Sequence, residues 1–272
     1  MPNNLVYVIM DSCRFDSVAE ARTPNIDRIG RLERRFSYAS WTLPSHYTYL
    51  MGLIPHQSPP GVFASEIYKQ EFSRWIRRLN IDGLSFKSFV PCLSLPKVLK
   101  DYGFQTTARV SLPVLNPYTA INTHFDDYRL MQNHNDFKGM IQELRFSTSR
   151  PNFYFLNLGE THYPYMLDPK GLPHLSGVHG VYKRLDDDLG VKDSAAPFFD
   201  ESQMRMFHRQ QMRCVEYVDE LMGVLLDKAP KDTYFIVTSD HGECFGESGY
   251  FGHGPIVHEK VFEVPFVEGV KP

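Results

Sequence analysis

The sequence predicts an α/β protein with a mostly parallel central sheet and helices on both faces, and three observations support this. Short apolar runs recur along the chain. Helical patterns lie between them, the alternation that builds parallel sheets. Several of the runs stop abruptly at acidic or histidine residues, which places polar chemistry at one sheet edge, where ligands of such folds bind.

The first element is Leu5–Met10, apolar throughout and ending at Asp11, as expected of a strand covered on both sides. An irregular stretch, Ser58–Pro91, contains a helical pattern over Glu66–Leu79. Leu95–Lys100 reads as a helix closed by Gly103, with Phe104–Val110 as the following strand. Asn152–Leu158 is a third strand, ending at Gly159-Glu160-Thr161-His162. Gly171–Pro197 reads as a long surface excursion, and its Asp186-Asp187-Asp188 run as a solvated surface. Asp200 and Gln203 have capping-box spacing, and Val215, Val218, Met222 and Leu225 supply the apolar stripe of a long helix. Thr233–Thr238 is a fourth strand, ending at Ser239-Asp240-His241. No boundary divides the chain, so residues 1–272 are expected to form one catalytic domain.

Composition narrows the function. A net charge of −3 points to no nucleic-acid partner. No apolar run approaches the ~18 residues that span a bilayer. The opening Met1-Pro2-Asn3-Asn4 lacks the basic start of an export signal. Cys13, Cys92, Cys214 and Cys244 show no CxxC spacing. A cytoplasmic location is the resulting expectation.

Four segments carry candidate chemistry. Asp240 and His241, adjacent at a strand end, can both reach one cation, and their oxygen and nitrogen donors suit Zn²⁺ or Mn²⁺. Asp11 can supply another carboxylate, or equally cap the next helix. Arg14 and Asp16 can pair to order that turn. Thr42, in Trp41-Thr42-Leu43-Pro44-Ser45-His46, can be a capping hydroxyl. It becomes a nucleophile only if a base or a metal lowers its pKa. Glu160, His162 and His253 can bind a second ion or the substrate.

Together these segments resemble the alkaline phosphatase superfamily, in its sulfatase-like branch. Asp11-Ser12-Cys13-Arg14-Phe15-Asp16 is similar to the family's D-S-x-R-x-D, and Thr23-Pro24-Asn25-Ile26-Asp27 to its T-P-N segment. Leu95–Arg109, Phe125-Asp126-Asp127-Tyr128 and Val218-Asp219 resemble later family segments in the same order. Ser239–Pro255, SDHGECFGESGYFGHGP, is similar to the S-D-H-G-E stretch of phosphoethanolamine transferases and lipoteichoic acid synthases, as GETHYPY from Gly159 is to their G-x-x-H-x-P-Y.

The resemblance implies an alkaline-phosphatase-like fold. It implies one divalent cation, Zn²⁺ or Mn²⁺, held by Asp11, Thr42, Asp240 and His241. His162 and His253 then take a second ion or the substrate phosphate, and Arg14, His46 and Glu243 lie just behind. Glu160 joins the second group on spacing alone. The implied activity is hydrolysis or transfer of a phosphate ester, whether monoester, diester or phosphonate, through a covalent intermediate on Thr42.

Two departures bear on that activity. Sulfatases carry C/S-x-P-x-R, whose Cys or Ser becomes formylglycine; here Thr42 and His46 stand at the first and last positions. The transferases are membrane-anchored, and many relatives continue past Val264-Pro265-Phe266 into a smaller subdomain. The competing expectations are a sulfuryl-ester hydrolase without formylglycine and a silent relative that binds an anion or a partner protein.

Overall fold

The computed structural model describes residues 3–57, 64–85, 94–165, 167, 172, 182–183, 200–254 and 256–272. Residues 58–63 and 86–93 of the irregular stretch, Cys92 among them, lie outside the described residues. So do Asp186-Asp187-Asp188 and nearly all of Gly171–Pro197.

The strands are β1 (Asn4–Met10), β2 (Glu33–Phe36), β3 (Gln105–Val110), β4 (Asp127–Leu130), β5 (Asn152–Leu158), β6 (Tyr182–Lys183), β7 (Thr233–Thr238), β8 (Cys244–Phe245), β9 (Tyr250–Gly252) and β10 (Glu263–Val270). The helices are α1 (Phe15–Glu20), α2 (Thr42–Leu50), α3 (Ala64–Leu79), α4 (Leu95–Asp101), α5 (Phe137–Glu143), α6 (Glu201–Lys228) and α7 (Glu259–Phe262). Seven strands form the main sheet in the order β2-β10-β7-β1-β5-β3-β4. Its core from β7 to β4 is parallel, with Leu5 opposite both Phe153 and Tyr234. β10 runs antiparallel to β7 and β2. A small antiparallel sheet, β6-β9-β8, stands apart.

Every residue of β1 is buried, because successive side chains enter two separate cores. Val6, Val8 and Met10 pack with Val18 of α1 and with Val215, Val218, Met222 and Leu225 of α6. Leu5, Tyr7 and Ile9 pack with Tyr49 of α2, Trp75 of α3 and Val98 and Leu99 of α4. Helices on both faces are thus the reason the central strands are apolar throughout. At the start of α6, the Asp200 carboxylate accepts from Ser202 N–H at 2.7 Å and Gln203 N–H at 3.1 Å.

Two family-like segments serve the frame. Asp219 on α6 accepts from Asn25 N–H and Ile26 N–H at 3.0 and 2.8 Å, so this helical aspartate clamps the Thr23-Pro24-Asn25 turn. Asp126 accepts from Thr106 N–H at 2.9 Å, and Asp127 pairs with Arg109 at 2.5 Å, which ties β4 to β3. Among the described residues no helix is long and apolar enough to cross a membrane.

Candidate metal centre

β1, β5 and β7 end side by side because they are neighbours in parallel register, Met10 opposite Leu158 and Ile9 opposite Thr238. Their next residues therefore meet at one edge. Asp11, Asp240 and His241 each present a ligand atom there, all within 4.8 Å of one another and all buried.

Helix α2 brings Thr42 to the same point. Thr42, Ser45, His46 and Tyr49 are spaced to share one face and are all buried, an unusual polar stripe for a core-facing helix. Ser45 Oγ donates to the Asp240 carbonyl at 2.9 Å and Tyr49 OH to the Ser239 carbonyl at 2.8 Å. The helix is thereby riveted to the end of β7. Thr42, its first residue, then lies with Oγ 3.4 Å from both Asp11 Oδ1 and His241 Nε2.

The electrostatics favour a cation. Asp11 is held well above the usual carboxylate range by burial first and then by the charge of Asp240. Burial also works against ionised Asp240, yet His241 beside it keeps this carboxyl below its ordinary value. The same pairing, acting against burial, lifts His241 to about 9. Asp240 Oδ2 is buried without a hydrogen-bond partner among the described residues, 3.3 Å from His241 Nε2. His241 Nδ1 donates to the Gly242 carbonyl at 2.9 Å, which turns Nε2 toward Asp240 Oδ2 and Thr42 Oγ. Two buried carboxylates beside one imidazole need compensating positive charge. The donor set therefore fits a divalent ion, and it mixes oxygen and nitrogen as Zn²⁺ and Mn²⁺ accept.

His162 and His253 line the same cleft as Thr42, a cavity of about 880 Å³. Their ring centroids are 5.3 Å apart, and that of His253 is 4.2 Å from that of His241. His162 Nε2 lies 4.0 Å from Asp11 Oδ1. His253 is held well below its ordinary value by burial, then by His241 and His162, so it is neutral at pH 7.

Glu160 uses one carboxylate oxygen in the frame: its Oε1 accepts from Phe137 N–H at 2.7 Å, at the start of α5, while its Oε2 is buried without a hydrogen-bond partner among the described residues.

The remaining three surround the centre. His46 Nδ1 donates to the Thr42 carbonyl at 2.8 Å and lies 3.9 Å from Asp240 Oδ2. Glu243 accepts from Tyr165 OH and, at 2.9 Å, from Gln211 Nε2; its other oxygen is 3.7 Å from His253 Nδ1. Burial raises this carboxyl to about 8. Arg14 sits further out, paired with Asp16 and Glu247, its guanidinium 5.0 Å above the Phe245 ring.

Three residues at the site were not singled out by sequence reasoning. Ser12 N–H donates to Asp240 Oδ1 at 3.0 Å, and its hydroxyl is 3.3 Å from both Asp11 Oδ1 and His253 Nδ1. Ser12 has φ of 58°, a strained value for a residue with a side chain. Asn157 Nδ2 donates to Asp11 Oδ2 at 2.8 Å. Gln211 Nε2 reaches the carbonyls of Ser12 and Thr161, each at 3.0 Å, as well as Glu243. The available signal for the last two is a fully buried polar residue inside an apolar strand or helix stripe.

A family model described as Sulfatase matches residues 3–267. No curated protein sequence matches. Among solved structures the chain is similar to the C-terminal periplasmic domain of EptC from Escherichia coli in complex with Zn. There the identity is 14%, with 99% of this chain and 73% of that one covered, and a TM-score of 0.60. It is similar to the same domain of the phosphoethanolamine transferase EptC from Campylobacter jejuni, at 15% identity, 98% and 78% coverage and a TM-score of 0.55. It is also similar to BT1596, a 2-O GAG sulfatase, at 12% identity, 99% and 64% coverage and a TM-score of 0.61. These likenesses, with a protein of the alkaline phosphatase superfamily among the further matches, place the fold as alkaline-phosphatase-like.

Proposed function

The chain belongs to the sulfatase family, and from that premise we propose that it hydrolyses or transfers phosphate esters through a covalent intermediate on Thr42. One observation carries this reading. The Thr42 hydroxyl stands on the floor of the cleft, 3.4 Å from a carboxylate and from an imidazole nitrogen that both belong to a cation-fitting group.

Asp11, Asp240 and His241, with the Thr42 hydroxyl, would hold a divalent ion, Zn²⁺ or Mn²⁺. Such an ion lowers the pKa of a hydroxyl and polarises a phosphoryl oxygen. Asp11 Oδ1, 3.4 Å from the hydroxyl, orients it and accepts its hydrogen. Oγ of Thr42 bonds to phosphorus as the ester oxygen leaves with its electron pair and takes up a proton from solvent in the open cleft. His162 and His253 hydrogen-bond the transferred group from the other side of the site. Asn157 fixes the rotamer of Asp11, and Ser12 fixes that of Asp240. Water or an acceptor alcohol then attacks phosphorus, the Thr42 Oγ–P bond breaks, and Oγ takes back its hydrogen. The start of α2 favours the substrate anion throughout.

Threonine cannot become formylglycine, so Thr42 favours phosphate over sulfate esters by the sulfatase route. The test is a screen of purified protein, with Zn²⁺ or Mn²⁺ added, against phosphomonoesters, phosphodiesters, phosphonate esters and sulfate esters. Turnover of a phosphate ester with phosphate trapped on Thr42 in a quenched reaction supports the proposal. Turnover of sulfate esters alone overturns it.

A further inference from the structure

The cleft above Thr42 is much larger than a phosphate group needs. Its 880 Å³ matches pockets that enclose drug-sized ligands. Its described walls are Trp41, Leu112, Val114, Leu130, Met131 and Pro164, together with the polar but uncharged Ser111, Gln132 and Tyr163. Among the described lining residues there is no Asp, Glu, Lys or Arg, although 22% of the chain is charged. Among the described lining residues the imidazoles are those of His134, His162 and His253, and the last two face the reacting end.

The walls come from the ends of β3 and β4. Asn157, which holds Asp11, also accepts from Ser111 N–H at 3.2 Å and Leu112 N–H at 3.3 Å. The apolar wall is therefore built onto the same side chain that fixes a ligand of the centre. Two large apolar side chains in it, Trp41 at 45% and Val114 at 37% exposure, are open to solvent and accessible to a ligand.

Resting on the reading of Thr42 given above, we infer that the physiological ester carries a bulky, uncharged apolar group, aryl or long-chain alkyl, which lies in this cleft. A cationic head group would find no carboxylate in the described walls to offset the loss of its hydration. The apolar group is removed from water as the phosphoryl end reaches Thr42.

Phosphonates test this without turnover. Calorimetric titration of the whole protein, with Zn²⁺ added, compares methyl-, propyl-, hexyl-, phenyl- and naphthylphosphonate with 2-aminoethylphosphonate. Affinity should rise roughly fourfold per methylene from methyl to hexyl while the chain remains buried. A steeper gain from phenyl to naphthyl than along the chain identifies the occupant as a ring, and the reverse identifies it as an alkyl chain. Propylphosphonate should bind about tenfold or more tightly than its near-isostere 2-aminoethylphosphonate. Val114→Asp should collapse the hexyl-to-methyl ratio, which general damage to the protein would leave unchanged. Flat affinities, an aminoethyl compound that outbinds propyl, or no binding by any member overturns the inference. Because phosphonates are not cleaved, the slope reads the cleft even if Thr42 never carries phosphate. Phosphothreonine without a slope would sink the cleft alone.

Discussion

Replacing Thr42 with alanine should separate catalysis from stability by a wide margin. The structural cost is small: the two contacts of Oγ are long, at 3.4 Å each, and long hydrogen bonds contribute little. Alanine is also the better residue for the first turn of a helix, by about 0.5 kcal/mol. Net destabilisation should be about 1 kcal/mol or less, a melting shift of roughly 2–4 °C. The catalytic cost should be of another order. Loss of a covalent nucleophile lowers turnover by about 10⁴–10⁶, or roughly 5–8 kcal/mol of barrier. Thr42→Ser keeps the oxygen and loses the methyl that restricts χ1, so it should retain partial activity. The assay pairs kcat/KM on the best phosphate ester from the screen with a melting curve, and with mass spectrometry of a quenched reaction. Turnover of Thr42→Ala within tenfold of the native protein would refute the covalent route. It would leave the grouping of Asp11, Asp240 and His241 untouched and point to water as the nucleophile.

Three further outcomes follow from the same geometry. Asp11→Asn should raise the melting temperature of chelator-treated protein, because it relieves a buried carboxylate crowded by Asp240, while abolishing the gain in melting temperature on adding Zn²⁺ or Mn²⁺. Equal metal responses in both proteins would argue against Asp11 as a ligand. Glu160 is raised from 4.5 to about 7 by burial, so the native state binds its proton more tightly than the unfolded chain does. Stability should therefore fall as pH rises from 4.5 to 7, by on the order of 3 kcal/mol at most, and Glu160→Gln should flatten that slope in a pH series of denaturant melts. Asp219→Ala, which strips the clamp from Asn25 and Ile26, should cost about 2–4 kcal/mol while kcat of the folded fraction stays unchanged. A loss of kcat greater than the loss of folded protein would return Asp219 to the chemistry.

The parts of the fold legible in the sequence are those where burial is two-sided. β1, β5 and β7 are apolar runs because helices cover both of their faces, and their ends show where the run meets polar residues. β2 and β10 were not legible. Glu33-Arg34-Arg35-Phe36 looks like surface, yet Arg35 is buried between the carboxylates of Glu33 and Glu71 and stacks 3.6 Å over Phe266. Pro265 breaks the pattern of β10, which tolerates it in antiparallel pairing near the sheet edge. The same distinction runs through the site. Asp11, Thr42, Asp240 and His241 are visible because they interrupt apolar periodicity at strand ends or lie in recognisable motifs. Ser12, Asn157 and Gln211 work through hydrogen bonds to residues up to 228 positions away, which no local pattern encodes.

The division of labour between strands has a physical basis. The cation-fitting group draws on the ends of the innermost strands, β1 and β7, where packing on both faces holds the backbone rigidly. Buried charges demand that rigidity, since a small displacement leaves a carboxylate uncompensated at a cost of several kcal/mol. The cleft walls draw on the segments after β3 and β4, toward the opposite edge of the sheet, and their contacts with a ligand are apolar and undirected. Such walls tolerate changes of size and shape at about 1–3 kcal/mol each. Substitutions at Leu112, Val114 or Met131 should therefore change which ester is preferred while leaving the centre assembled. Substitutions at Asn157 cannot be so separated, because its amide serves Asp11 with one end and the Ser111–Leu112 wall with the other. That shared side chain is where substrate preference and reactivity should prove to be coupled.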